Sequence, residues 1–282
     1  MKNHYNKSPI IGYTGKNSLL AKSFIKDYNH KFIFKCYSGN INHHTKLVKW
    51  FKNNLDINIF INFAAITSPI YCNNNKNEAL LTNFKSVVNI LNIIQNNDLN
   101  DFNYFLTLSS SHVFKRSFNK LNEKSIKKPS NFYGLTKLKL ENYILRNSKK
   151  FRFKIGIARI FNYYNHGKKR GFFINDIIDK LKNSDQIIQF DNTNTYRDFI
   201  SMKNINVAIY KMISLRLAND FNICSGQKIY LSNIIDVLNK KFKNKKIIFD
   251  KKKLPGLIGS NTKLKRKGWK IKKNNFLNEL FK

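Results

Sequence analysis

"SPIIGYTGKNS", residues 8–18, is the stretch on which the fold turns. Ile10 and Ile11 lead into Gly12-Tyr13-Thr14-Gly15, and Ser18 stands where a helix opens. A strand that ends in a glycine turn and feeds a helix can bring backbone N–H groups against a pyrophosphate. The pattern is GxxGxxS, so the third small position is a serine, whose Cβ and hydroxyl crowd the contact that glycine would leave open. Taken alone, the turn also suits an ordinary strand-to-helix connection.

Further along, short apolar runs bounded by turn residues recur as "KFIFKCYS", "INIFINFAA", "FNYFLTLSSS" and "FKIGIARIFN". Longer segments of helical period separate them, notably residues 78–97 and 132–147. Continuous apolar strands alternating with helices predict an α/β protein with a parallel, doubly wound sheet covered on both faces. After residue 160 the rhythm loosens into the basic loop "NHGKKRGFF", a helix near 173–183, and a tail "LIGSNTKLKRKGWKIK" of turns and a short helix. The expected organisation is a dinucleotide-binding domain over 1–160 and a smaller substrate-binding lobe over 161–282. Segments around 196–226 are expected to return to the first domain.

The chain has 282 residues, with 52 basic and 16 acidic side chains and a net charge of +36. Such an excess raises the question of nucleic acid. It is spread along the whole chain, accompanied by a diffuse excess of Asn, Ile, Phe and Tyr, and no reader motif accompanies it. The reading is therefore no nucleic acid, with an overall positive field that attracts an anionic substrate such as a nucleotide diphosphate. Cys36, Cys72 and Cys224 form no CxxC or Cys/His spacing, so no metal site or disulfide framework is expected, and a reducing cytoplasm fits. No leader-type apolar region precedes Gly12 and no run approaches the ~18 apolar residues of a membrane span, so a soluble chain without a membrane partner is expected.

Tyr133 and Lys137 lie four residues apart in "YGLTK", on one face of a helix. An ammonium beside a phenol stabilises the phenolate and makes tyrosine a usable acid/base. Ser110, 23 residues before Tyr133 at the end of "FLTLSS", is placed to bond the same substrate oxygen from the other side. The order of glycine turn, strand ending in "NFAA", serine-ended strand and YGLTK makes the YxxxK spacing informative. At the end of the second strand, Lys35-Cys36-Tyr37-Ser38-Gly39-Asn40 offers no carboxylate for ribose hydroxyls, so the expected cofactor is NADP(H) or NAD(H), with NADP(H) favoured.

Over nearly its whole length the chain resembles the extended short-chain dehydrogenase/reductases, the NAD(P)-dependent nucleotide-sugar epimerases, dehydratases and reductases. "GYTGKNS" is similar to their glycine turn, "NFAAITSP" to their NxAA strand end, and Asn83 to the asparagine of the following helix. "SSSHVF" and "YGLTK" match the catalytic segments. "ARIFN", "TYRDFISMKNINVAIYKM", "FNICSG" and "LIGSNTKLKRKGW" resemble the substrate-lobe segments of GDP-sugar members, especially 4-keto-6-deoxy-mannose reductases and GDP-mannose dehydratases. The resemblance implies a Rossmann-like fold in which Gly12, Tyr13, Thr14, Gly15, Ser18, Ala64 and Ala65 line the cofactor. It implies Tyr133 as proton donor or acceptor, Lys137 as ribose ligand and tuner of Tyr133, and Ser110 as the residue that orients the oxygen. Ser111, His112, Asn162 and Arg197 would meet the substrate, the last two at its diphosphate end; Arg197 is alternatively a partner of Asp198.

Family dehydratases carry a carboxylate beside the catalytic serine or threonine, whereas this chain has Ser111 and His112. His112 reads either as a strand-end residue or as a second acid/base. Epimerase-reductases of the GDP-fucose synthase type have a reactive cysteine there and a histidine in a later loop, where this chain has His166. The expected activity is therefore reduction of the 4-keto group of a nucleotide (6-deoxy)hexose such as a GDP-sugar. Epimerase or 4,6-dehydratase is the alternative, and an inactive cofactor-binding module the alternative of another class. The wide apolar stripes of helices 78–97 and 132–147 point to a further partner, and the resemblance implies a homodimer through a four-helix interface, with Leu91 expected on the outward face.

Overall fold

The computed structural model describes residues 8–97, 99, 101–164, 172–183, 187–191, 193–241, 245–250, 252–272 and 276–279. Strand β1 (Ile10–Thr14) is followed by α1 (Leu19–Tyr28), β2 (Ile33–Cys36), α2 (His44–Lys52) and β3 (Ile59–Asn62). Next come α3 (Pro69–Asn74), α4 (Lys76–Leu80), a π-helical turn (Leu81–Lys85) and α5 (Ser86–Asn96). The chain continues through β4 (Tyr104–Ser110), a 3-10 turn (Ser111–Val113), α6 (Phe132–Asn147) and β5 (Lys154–Ile160). The five apolar runs are thus the first five strands, and the 132–147 helix falls where its period placed it.

Six strands form the main sheet in the order β10-β5-β4-β3-β1-β2, where β10 is Asn219–Ile223. β1 is parallel to β2 and to β3, and β3 is parallel to β4. Every residue of β3 and β4 is buried, as strands covered on both faces must be. Their core is apolar and partly aromatic: Phe60 and Phe105 stack at 5.8 Å, among Ile57, Leu140, Ile144 and Ile157. After β2 the chain crosses back past β1 to begin β3. The order therefore reverses between β1 and β3, and a crevice at their C-terminal ends is where doubly wound sheets bind ligands. The architecture is Rossmann-like.

The predicted helix over 78–97 is interrupted. A π-helical turn over Leu81–Lys85 inserts an extra residue, and the Ser86 hydroxyl caps it by donating to the Leu81 carbonyl at 2.8 Å. Leu91 is fully buried and packs with Val87, Ile90 and Ile94 against the sheet, so its expected place on the outward face is corrected. Amphipathic period gives the width of a stripe but not which part meets the sheet. The surface-facing apolar residues are instead Leu81, Phe84 and Val88, with Leu135, Leu138 and Leu145 on α6.

By contacts the chain divides into two compact units. The first holds the described residues up to Val113 together with Lys127–Arg159 and Asn206–Phe221; the second holds Phe114–Ile126, Ile160–Ile205 and the described residues from Asn222 onward. The later elements are β6 (Asn162–Tyr164), α7 (Phe172–Asn183), β7 (Ile187–Phe190), β8 (Tyr196–Arg197), β9 (Phe199–Ser201), α8 (Met202–Ser214), β11 (Ile229–Tyr230), α9 (Leu231–Asn239), β12 (Lys246–Phe249), α10 (Thr262–Lys265) and α11 (Phe276–Glu279). In the second unit β8 pairs with β11, β7 with β12, and β6 with β9. Ile177, Leu181, Ile188, Phe190, Ile234 and Leu238 form its core, where Phe199 and Phe276 stack at 4.1 Å. No helix among the described residues is long and apolar enough to cross a membrane.

Inside the first unit lies a buried set of charges. Arg159 on β5 donates to both oxygens of Glu141 on α6, at 3.0 and 2.6 Å, and to Asp220 on β10 at 2.8 Å. The Ser109 hydroxyl adds a 2.5 Å bond to Glu141. Burial works against the guanidinium, but Glu141 and Asp220 outweigh it and hold its pKa above the ordinary value. Removing one member of such a set leaves the others buried and unmatched. Arg159→Met is therefore expected to cost about 3–5 kcal/mol in urea denaturation; an unchanged midpoint would show that the network does not hold the helix.

Candidate active site

The β1–α1 turn is built for close approach. Gly15 has φ +77°, and a Cβ there would lie 2.7 Å from the Ala64 nitrogen and 2.8 Å from the Phe63 carbonyl carbon, so only glycine fits. Thr14 locks the neighbouring strand end: its hydroxyl donates to Asn62 Oδ1 at 2.6 Å and accepts from the Ala64 N–H at 3.3 Å. Gly12, on the same face of β1 as Thr14, packs closely against Ile57 and Phe60. Ser18 has a positive use, since its side chain accepts from the Ala21 N–H and caps α1. Ala64 and Ala65 are half-exposed beside this turn. Tyr13 rests edge-on against Phe34 and Phe63; burial first, then a hydrogen bond with Cys36, pushes its phenol up to about 12. A glycine-lined turn at a helix N-terminus, at the reversal point of the sheet, fits a dinucleotide pyrophosphate.

The serine cluster divides its labour. Ser109 bonds Glu141, Ser110 accepts from the backbone N–H of His112 at 3.3 Å, and Ser111 starts the 3-10 turn. Lys137 is buried, and its Nζ donates to the Leu108 carbonyl of β4 at 3.0 Å while lying 5.9 Å from the Tyr133 ring centre. Burial pulls its pKa down to about 8, against opposing pulls from Cys72 and Glu141. Tyr133 is buried with Cys72 and Ala79, and its ring meets His112 edge to face at 5.7 Å. Asn131, the N-cap of α6, accepts from the Gly134 N–H at 2.8 Å and pairs with His112 Nδ1 at 2.8 Å. The structure thus brings Ser110, Ser111, His112, Tyr133 and Lys137 into one constellation.

Two connections lay outside sequence reasoning. Asn83, presented by the π-helical turn, brackets Ile66 with bonds of 2.8 and 2.9 Å and reaches Thr136 Oγ1 at 3.2 Å. It ties the segment after β3 to the helix of Tyr133 and Lys137. Glu141 follows Lys137 by four residues on the same face, a spacing that was visible, but its partners Arg159 and Asp220 come from distant strands.

Asn162 and Arg197 belong to the second unit. Asn162 donates to the Asp198 carbonyl at 3.3 Å. The Asp198 carboxylate is taken by Ser225, Gly226 and Gly259, so Arg197 is not its partner. Arg197 instead donates to the Tyr196 carbonyl and to Thr195. Burial, then the nearby cation of Arg116, draws its pKa down to about 10. Arg116 had escaped notice, because nothing in "VFKRSF" distinguishes it from the surrounding basic residues. His166 lies outside the described residues.

A family model described as the NAD dependent epimerase/dehydratase family matches residues 12–224. The chain belongs to that family. Among curated members, it is 25% identical over 265 residues to a GDP-6-deoxy-D-talose 4-dehydrogenase of Aggregatibacter actinomycetemcomitans, covering 89% of this chain and 88% of the relative. It is 26% identical over 143 residues to a GDP-6-deoxy-D-mannose reductase of Pseudomonas aeruginosa, covering 48% and 47%. The solved structure of RMD from Pseudomonas aeruginosa complexed with NADPH superposes with a TM-score of 0.78 at 20% identity, covering 94% of each chain. This epimerase/dehydratase-family chain thus shares the fold of that structure.

One close approach within the family scaffold is directly testable. A Cβ on Gly134 would overlap the carbonyl oxygen of His112. Gly134→Ala gains about 1 kcal/mol of helix propensity, yet it is expected to be destabilised by about 1–3 kcal/mol through overpacking. Denaturation at or above the wild-type midpoint would show that α6 can move off the 3-10 turn.

Proposed function

We propose that the protein is an NAD(P)-dependent nucleotide-sugar oxidoreductase acting at C4 of a nucleotide 6-deoxyhexose such as a GDP-sugar. The observation that carries this is the constellation Ser110, Tyr133 and Lys137, ordered by α6 beside a glycine turn fit for a dinucleotide. The name of the relative that spans the chain, a GDP-6-deoxy-D-talose 4-dehydrogenase, supplies the substrate class and the carbon.

When bound, a nicotinamide cofactor would supply the hydride that reduces the carbonyl carbon. Tyr133 gives its phenolic proton to the oxygen as the C–O π bond breaks, leaving an alcohol. Lys137, held against the Leu108 carbonyl, supports the charge left on the phenolate and bonds the cofactor ribose. Ser110 orients the reacting oxygen. Gly12, Tyr13, Thr14, Gly15, Ser18, Ala64 and Ala65 would hold the cofactor, the glycine turn at the start of α1 suiting its pyrophosphate. Ser111 and His112 meet the sugar. Asn162 and Arg197 take the diphosphate end, and Arg116 joins them, because its cation lies close enough to draw down the pKa of Arg197 and neighbouring cations suit a dianion. Epimerase and dehydratase chemistry is the second reading; it would need His112, beside Ser110, to act as a base. Unpaired Cys36, Cys72 and Cys224 accord with a cytoplasmic location.

Tyr133→Phe is expected to lose at least ~100-fold in turnover while cofactor binding stays near wild type, since only the proton is removed. In the same assay Arg197→Met should raise KM for the nucleotide sugar with kcat less affected. Turnover by Tyr133→Phe within a few fold of wild type removes Tyr133 from the chemistry.

NADP(H) is the favoured cofactor, because the end of β2 offers no carboxylate to repel a 2′-phosphate. The Lys35 cation is not the reason, since Asp56 holds it at 2.7 Å. NADPH is expected to bind more tightly than NADH, and Lys35→Met to keep that order. Equal or reversed affinities in titration would overturn the preference.

The protein is further proposed to form a homodimer through the π-helical turn, α5 and α6, burying Leu81, Phe84, Val88, Leu135, Leu138 and Leu145. Val88→Asp should shift sedimentation from dimer to monomer and lower activity. A wild-type chain that is monomeric at micromolar concentration and fully active would refute the dimer.

A further inference from the structure

We infer that Asn131 locks His112 as the tautomer protonated at Nε2, so that the imidazole serves the site as a hydrogen-bond donor and not as a base. The Gly134 N–H is a fixed backbone donor, and Asn131 Oδ1 accepts from it at 2.8 Å. That bond settles the orientation of the amide, so the nitrogen of Asn131 is what faces His112 Nδ1, also at 2.8 Å. An amide nitrogen only donates. Nδ1 must therefore present its lone pair, and the ring proton sits on Nε2.

Neither escape is open. Turning the amide over would set its NH2 against the Gly134 N–H and uncap the helix. Moving the ring proton to Nδ1 would set two donors face to face. Asn131 is thus a positioning residue for the histidine as well as the helix cap. The backbone of Gly134 packs on the His112 carbonyl, which fixes the main chain of His112 against α6, and the ring lies edge to face with Tyr133.

The consequence bears on the type of reaction, and it rests on the proposed sugar carbonyl substrate. A base that removes a proton from a sugar carbon needs a lone pair, and on His112 one nitrogen is already bonded and the other already protonated. A donor suits an oxygen that gains negative charge during hydride transfer. His112 therefore favours oxidoreduction at a carbonyl over the epimerase and dehydratase steps.

Asn131→Asp tests the lock with the cap retained, because aspartate caps helices as well as asparagine does. Its second oxygen would accept from Nδ1–H and reverse the tautomer. Two-bond proton–nitrogen correlation spectra, with His112 assigned by its loss in His112→Gln, are expected to show a protonated Nε2 in the wild type and a protonated Nδ1 in Asn131→Asp. A wild type protonated at Nδ1, or identical patterns in both, would overturn the lock. In kinetics, His112→Gln keeps a donor near the Nε2 position and His112→Glu replaces it with an acceptor, so His112→Gln should turn over at least ~10-fold faster. Equal rates, or a faster His112→Glu, would overturn the donor role. The spectra need no substrate, so a reversed pattern alongside inactivity on every nucleotide sugar would support the lock and count against the proposed activity instead.

Discussion

Burying charge inside a protein is tolerable only where opposite charges meet with good geometry, and the first unit is organised around one such meeting. Lys137, Glu141, Arg159 and Asp220 alternate in sign and sum to zero. Two of them come from α6, one from β5 and one from β10, so the charge balance is satisfied only when the helix is seated in one place and at one rotation. Hydrophobic packing alone tolerates small slides of a helix over a sheet. A bidentate arginine–carboxylate pair does not. Because Tyr133 is one turn before Lys137, which is one turn before Glu141, the precision of the ion network is handed along the helix to the phenol.

The other end of α6 is fixed by different means. Asn131 caps it, Gly134 lets it touch the His112 carbonyl, and Asn83 reaches across from the π-helical turn to Thr136. The helix is held electrostatically at its middle and by close backbone approach at its start. The glycine turn of β1 follows the second strategy, with Gly15 against Phe63 and Ala64. Both halves of the candidate site thus use missing side chains to bring backbone within reach.

Much of this was legible in the sequence, for identifiable reasons. Strands buried on both faces must be continuous apolar runs, so β1, β3, β4 and β5 announced themselves, and the YxxxK spacing survives any detail of packing. What sequence could not give was every relation that spans distant segments. Glu141 was visible as a charge on the face of Lys137, but Arg159 and Asp220 could not be joined to it. Lys35 read as a bare cation until Asp56 appeared beside it, and Arg116 was one basic residue among many. Leu91 was misplaced because a stripe apolar on several sides does not say which side the sheet claims. The pairing of Asn131 with His112 joins two residues 19 apart, with no periodicity to betray it.

The π-helical turn at Leu81–Lys85 has a consequence for how this chain can vary. An extra residue in a helix rotates everything before it by about 100° relative to everything after it. Asn83 and the apolar face of α5 both point inward across that offset. Asn83 sits in the turn itself, where its amide reaches Ile66 and Thr136, and Val87, Ile90 and Leu91 begin directly after it. Deleting any one residue there would restore a smooth α-helix and turn one set away from its partners, whatever residues remained. The segment is therefore constrained in count more strictly than in composition, and its surface positions can accumulate lysine and asparagine while its length stays fixed.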